Sequence, residues 1–330
     1  MSFAFSKQQV VVKTRISYAH QAYRQSRTGH LWVDPSIQWN LNVSALSSFS
    51  ADVGYTNSPL TGKSIYDTPI FTTYRTQKIN QGKTAVTHDL RATATYKYAN
   101  PVWGVFLNVS PMYARTSGNI LYENVLNDRI FTIVATDKKR ATETTGLSGH
   151  ISKTFGWAKT LLGLGASFTT TDYCMLVTGK VNVARMTITS VALNFSLRPT
   201  RLLSVEGRSS VSFNQQKNQT APQLSSGSTN DWEHRLNIHV FPANGWMLSI
   251  NNQLFHTNSE GIGTSFFLDL AMSYKTKRWE LTFSANNIIG SSKLEQHVLG
   301  NTIETYMATH LRPRESLSPG PPTRSPLTRH

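Results

Sequence analysis

Two carboxylates, Asp231 and Glu233, stand two residues apart beside Arg235. On an extended strand, residues i and i+2 share a face, so the pair has the spacing of an acid and a base working on one substrate. His234 and His239 carry the side chain that titrates near neutral pH. Their odd separation sends them to opposite faces of a strand, which makes them poor partners for one metal ion. The single cysteine, Cys174, excludes a disulfide framework and a Cys-based zinc site. Arg91, Lys97, Arg208 and Arg235 are cations at polar positions and could meet an anion. Around them there is no G-x-S-x-G elbow, no Walker loop and no G-x-G-x-x-G ahead of a helix. Acid–base work needs a walled pocket, and no motif here builds one. These groups read as polar side chains of a wetted surface: no catalysis, no cofactor and no metal site are expected.

The elements that must hold them show a period of two. From Val86 the apolar positions are Val86, Leu90, Ala92, Ala94, Tyr96 and Tyr98, against Thr87, Asp89, Arg91, Thr93, Thr95 and Lys97. The pattern returns at Leu203, Val205, Val211 and Phe213, and again at Ile262, Phe266, Leu268, Leu270, Met272 and Tyr274. Each such segment is a strand with one oily and one wet face. No comparable stretch has helical spacing. Roughly twelve to fourteen strands can be placed, so the chain is all-β.

Strand length separates the architectures. Runs such as Gly261–Lys275 and Leu202–Asn214 exceed the roughly 5–6 residues of a globular strand and reach the roughly 9–11 needed to cross a bilayer at a tilt. Short turns are predicted at Leu41–Ser44, Tyr98–Trp103, Phe155–Ala158, Leu197–Arg201, Phe241–Gly245 and Lys275–Arg278. Long polar loops are predicted at Thr56–Thr84, Ser117–Asp128, Asn214–Asp231 and Ile288–Asn301. Tight turns at one end and long loops at the other describe an antiparallel transmembrane β-barrel of the outer membrane. Of seven tryptophans, Trp39, Trp103, Trp157, Trp246 and Trp279 fall near the tight turns, where Tyr98 and Tyr274 join them. Trp32 and Trp232 fall at the opposite strand ends. Aromatic rings at both ends of an oily band form a membrane-interface girdle. A soluble β-sandwich or propeller would also alternate, but it would not band its tryptophans.

Composition fits the barrel. Charged residues are 15%, while Ser and Thr number 35 and 38. In a wide barrel the inward face surrounds space, and such residues line it. The chain's formal net charge is +15, and of its basic residues Arg91, Lys97, Arg208 and Arg235 lie on polar faces and are expected to point into the lumen or line its mouth, near Asp89, Glu206 and Glu233. A nucleic-acid partner is not expected. The basic residues form no stripe, and no RNA-recognition motif, zinc finger or basic helix accompanies them.

Near the C-terminus the motif residues are Ala285-Asn286-Asn287 after a strand, a basic turn and a strand, and then Leu311-Arg312-Pro313-Arg314. The run Leu268–Glu315 resembles the C-terminal end of TonB-dependent outer-membrane receptors of Bacteroidota. The specific match covers about fifty residues, and the compatible strand rhythm covers nearly the whole chain. The resemblance implies uptake of a nutrient across the outer membrane of a Gram-negative cell. It implies outer-membrane lipid, TonB acting through a plug domain, the barrel-assembly machinery and a surface lipoprotein as partners. It also sets departures. No signal sequence or plug is read in the chain, and the family's barrels have about 22 strands.

The expected organisation is therefore a barrel segment over residues 1–315, followed by a Pro-rich disordered tail over 316–330 in place of the closing strand. Such a segment is expected to be a fragment that does not close alone. Loop residues Tyr66, Arg75 and Trp232 are the nominated ligand contacts, because a large ligand meets outer loops first. The other reading is a self-contained outer-membrane or surface barrel with a structural or adhesive role. It requires Lys7–Tyr18 to pair with Thr302–Leu311.

Overall fold

The computed structural model describes residues 2–5, 7–23, 26–59, 68–80, 86–127, 130–177, 179–220, 227–258, 263–277, 279–290, 293–298, 305–311 and 316–319. Every element but one short turn is a strand. In chain order they are β1 (Ser2–Phe5), β2 (Gln8–Tyr23), β3 (Ser26–Asn42), β4 (Ser47–Pro59), β5 (Ile70–Thr73), β6 (Thr76–Ile79), β7 (Val86–Asn100), β8 (Val105–Gly118), β9 (Leu121–Asn127), β10 (Ile130–Thr136) and β11 (Arg140–Phe155). A 3₁₀ turn, Trp157–Lys159, leads to β12 (Thr160–Val177), β13 (Lys180–Thr200), β14 (Leu203–Asn218), β15 (Ser228–Val240), β16 (Trp246–Thr257), β17 (Ser265–Lys275) and β18 (Glu280–Gly290). Three short strands follow: β19 (Lys293–Val298), β20 (Thr305–Leu311) and β21 (Ser316–Pro319).

The strands of 11 to 21 residues make one antiparallel meander, β2-β3-β4-β7-β8 and then β11 through β18. One end carries the tight turns at 43–46, 101–104, 156–159, 201–202, 241–245 and 276–279. Gly245 shows what such a turn demands. Its φ is +82°, and a Cβ there would run into the Lys275 carbonyl oxygen. The other end carries longer connections, with two exceptions at 24–25 and 178–179. Gly179, at φ +75°, makes the second of these a tight hairpin.

Among the described residues no ladder joins β1 or β2 to β18 or β21. Of the stretch Thr302–Leu311 the described part, β20, pairs with β19 and not with Lys7–Tyr18. The tail also differs from expectation at its start. Ser316–Pro319 adds to the edge of β18 against Phe283–Asn286. Its first three residues precede the prolines, and an edge strand tolerates a proline at its end.

Most side chains along the meander are exposed or half-buried; the buried ones are scattered and mostly polar, with Trp32, Leu176, Ala184 and Phe267 the buried hydrophobics. The chain exposes 21744 Å², about 1.6 times the roughly 13,600 Å² of a compact monomer of its mass. Among the described residues the one buried hydrophobic cluster, Ile120 and Ala135 with Tyr122 packed against it, lies outside the meander. It belongs to a platform built from two outer hairpins, β5–β6 and β9–β10, which pair in parallel through β6 and β10.

Candidate functional site: the two faces of the sheet

Register turns the alternation of each strand into continuous rows. One row reads Leu107–Ile151–Leu164–Leu193 across β8, β11, β12 and β13. The next toward the outer end is Val109–Gly149–Ala166–Val191–Val211, and the next Pro111–Leu147–Phe168–Thr189–Phe213. On the far strands the same face carries Ile238–Ile250–Leu270–Ala285 and Val240–Leu248–Met272–Phe283. Leu147, Leu164, Phe168, Leu193 and Phe283 are each between 47% and 53% exposed. A water-borne monomer rarely exposes apolar patches beyond a few hundred Å². Gly207 belongs to this face because the Phe195 ring lies across it, where a Cβ would meet ring carbons.

The opposite face is polar and satisfies itself across strands. Thr95 and Ser110 hydroxyls meet at 3.0 Å, Thr144 and Thr171 at 3.1 Å, and Ser190 and Ser212 at 3.0 Å. The carboxylates with acid–base spacing are engaged: Asn214 Nδ2 donates to Asp231 at 2.9 Å, and Arg235 pairs with Glu233. Arg208 sits directly across from Arg235. Asp89 accepts from the Thr116 hydroxyl at 2.5 Å. The two histidines part as their spacing requires. His234 bonds Ser209 on the apolar face, whereas His239 bonds Ser249 on the polar one, both at 2.9 Å.

All seven nominated girdle residues lie at the tight-turn end. Trp103 and Trp157 stand in turns, each 70% exposed, and Trp279 closes another, donating its N–H to Thr276 Oγ1 at 3.0 Å. Trp246 pairs with Tyr274, ring centroids 4.7 Å apart, and Trp39 meets Phe49 edge-on at 5.5 Å. Tyr98 accepts a bond from Asn100 Nδ2 at 3.2 Å. At the other end Trp32 is buried against His30 and His88 and presents no interfacial ring, while Trp232 is exposed on the apolar face beside His234. Trp232 is thus a strand residue. Arg75 is in the turn of β5–β6, with its guanidinium over the Tyr74 ring at 5.1 Å. Tyr66 lies outside the described residues, as do Arg312, Pro313 and Arg314; Leu311 ends β20.

Ala285-Asn286-Asn287 has a structural reason. Ala285 still pairs with Leu270, after which the register slips. Asn287 takes φ +52°, a left-handed conformation that asparagine tolerates better than most residues, and it is fully buried. Its N–H donates to Asp269 Oδ1 at 2.7 Å. The motif is a β-bulge whose freed amide is held by a carboxylate on the neighbouring strand.

The outer limit of the apolar face is a graded boundary that the sequence reading missed. Beyond Phe168 comes a row of Tyr113–Thr145–Thr170–Thr187–Gln215, and beyond it Arg115–Glu143–Asp172–Arg185–Lys217. Arg185 grips Asp172 through Nε and Nη2, both at 2.7 Å, and Arg115 reaches Glu143 at 3.3 Å. These five residues are separated by 13 to 32 positions in sequence, and only register collects them.

No protein-family model matches the chain, and no curated protein does. Solved structures share its fold. A mutant of the ferric enterobactin receptor PfeA of Pseudomonas aeruginosa superposes with a TM-score of 0.58 at 9% identity, over 86% of this chain and 44% of that one. The ferric-catecholate import receptor Fiu of E. coli K12 gives 0.51 at 10% identity, over 86% and 56%. The chain therefore has the fold of an outer-membrane β-barrel wall. It spans about half the length of the receptors it matches.

Proposed function

We propose that the chain is part of the wall of an outer-membrane transporter that takes up a nutrient in a Gram-negative cell, as TonB-dependent receptors do. The observation that carries this reading is the two-faced meander: continuous apolar rows on one side, a self-bonded polar wall on the other, and aromatic residues gathered at the tight-turn end. Lipid is the medium that covers such apolar rows. The polar wall then lines the passage, and Trp39, Tyr98, Trp103, Trp157, Trp246, Tyr274 and Trp279 sit at the inner interface. The two receptors named above are a ferric enterobactin receptor and a ferric-catecholate import receptor, which supports uptake as the activity. Residues 1–315 form the barrel segment. In a transporter of this class a plug and TonB would complete the working assembly. Assembly machinery and a surface lipoprotein are the partners this class implies. Arg75, on an outer hairpin, is the described loop residue nominated for ligand contact.

Fractionation of cells producing the full chain tests this. The chain is expected in the outer membrane, resistant to carbonate and released by detergent. Recovery as a detergent-independent soluble particle would refute the reading. A boiling-sensitive, fast-migrating species formed by this chain alone would show that no further strands are needed.

A further inference from the structure

We propose that the charged row above the apolar face is a binding site for the phosphate of a membrane lipid head group, an inference that rests on the membrane reading above. Along β12 the outward residues run Leu162, Leu164, Ala166, Phe168, Thr170 and Asp172. Ten residues at about 3.3 Å each, tilted about 40°, rise roughly 25 Å, the height of the apolar band of such barrels. The row Arg115–Glu143–Asp172–Arg185–Lys217 thus stands where hydrocarbon gives way to head groups, on the side that faces lipid.

Its charges are unevenly spent. Arg115 is paired with Glu143, and Arg185 with Asp172. Lys217, directly across from Arg185, has no carboxylate partner among the described residues. Beside it the surface forms a cavity of about 200 Å³ lined by Arg185, Thr187, Gln215, Lys217 and Gln219. The lining offers the unpaired Lys217 ammonium with a hydroxyl and two amides beside it, and the Arg185 guanidinium, already held by Asp172, closes one side. That donor set suits a compact oxyanion, and a strong acceptor such as phosphate forms its best bonds to ionised donors. The cavity opens on the apolar face's own side, so a lipid can seat its head there while its chains lie along Phe213 and Phe168. A ligand in the lumen is on the wrong side of the sheet.

The test uses the full chain as extracted from outer membranes in a neutral detergent, with native mass spectrometry counting bound lipid. Short-chain phosphatidic acid should bind about tenfold more tightly than phosphatidylcholine of equal chain length. Lys217→Gln should remove most of that preference, and Lys275→Gln, at the inner end, should leave it intact. Equal binding of the two lipids by a membrane-embedded chain would overturn this inference and leave the membrane reading standing. Displacement of the lipid by an equal concentration of inorganic phosphate would overturn the lipid assignment in favour of a free-anion site. A chain found soluble without detergent would end both.

Discussion

The wall and the outer platform reach stability by opposite routes. In the platform, β9 and β10 bury Ile120 and Ala135 at 3% and 1% exposure, with Lys78 lying over the Tyr122 ring and Gln77 bonded to Thr132. That is how any water-borne domain is held: apolar surface is hidden from water by protein. The wall hides little that way: Trp32, Leu176, Ala184 and Phe267 are its buried hydrophobic residues among those described. Leu164 and Leu193 are 47% exposed on a single-layer sheet, and what holds the strands is the backbone ladder plus cross-strand pairs worth about 0.2–1 kcal/mol each. The wall's apolar face is complementary to a surrounding medium, whereas the platform is complementary to itself. The difference teaches that exposure in the wall is a specification for lipid.

Substitutions can break this contrast. Leu164→Arg should be the largest effect, about 2–4 kcal/mol lost in urea titration of the bilayer-embedded chain. Ser167→Arg, three residues on and facing the polar side, should change stability by less than about 0.5 kcal/mol. Equal effects would erase the distinction between faces. In the platform Ile120→Ala should cost about 2 kcal/mol through its cavity. Hydrogen exchange should accelerate in β9 and β10 while β12 and β13 keep their protection, and loss of protection throughout would mean the two regions are one unit. Gly245→Ala should cost about 1–2 kcal/mol, because the turn needs a left-handed residue and the Lys275 carbonyl leaves no room for a Cβ. A neutral result in the same titration would show that the turn relaxes.

The smallest effect is electrostatic. Arg185 grips Asp172 through two bonds of 2.7 Å, and a single ion pair of this kind contributes about 0.2–1 kcal/mol. Asp172→Asn should therefore cost less than about 1 kcal/mol in the same titration; a loss as large as that of Leu164→Arg would contradict the ranking.

Much of the wall was legible in the sequence because a strand writes its two faces as alternation. Val86–Tyr98 and Ile262–Tyr274 show it, and Phe241–Gly245 marks its turn with proline and glycine. The hairpin at 178–179 could have been read from Gly179. The platform could not: β5, β6 and β9 lie inside stretches that read only as polar loops, and β6 meets β10 across more than fifty residues. The charged row was illegible for a related reason. Its five residues lie on five strands, and no local pattern announces a register. Asn286-Asn287 stood out as a motif, but its bulge depends on Asp269 from another strand.

Cysteine scanning along β12, in a Cys174→Ser background, tests the central claim most directly. Single cysteines at residues 161 through 168 would carry nitroxide labels, and collision with oxygen dissolved in the bilayer would be compared with collision with a water-soluble nickel complex. The account predicts strict alternation: Leu162, Leu164, Ala166 and Phe168 reached from lipid, and Leu161, Gly163, Gly165 and Ser167 reached from water. Even-numbered positions shielded from both reagents would place them inside a protein core and contradict it.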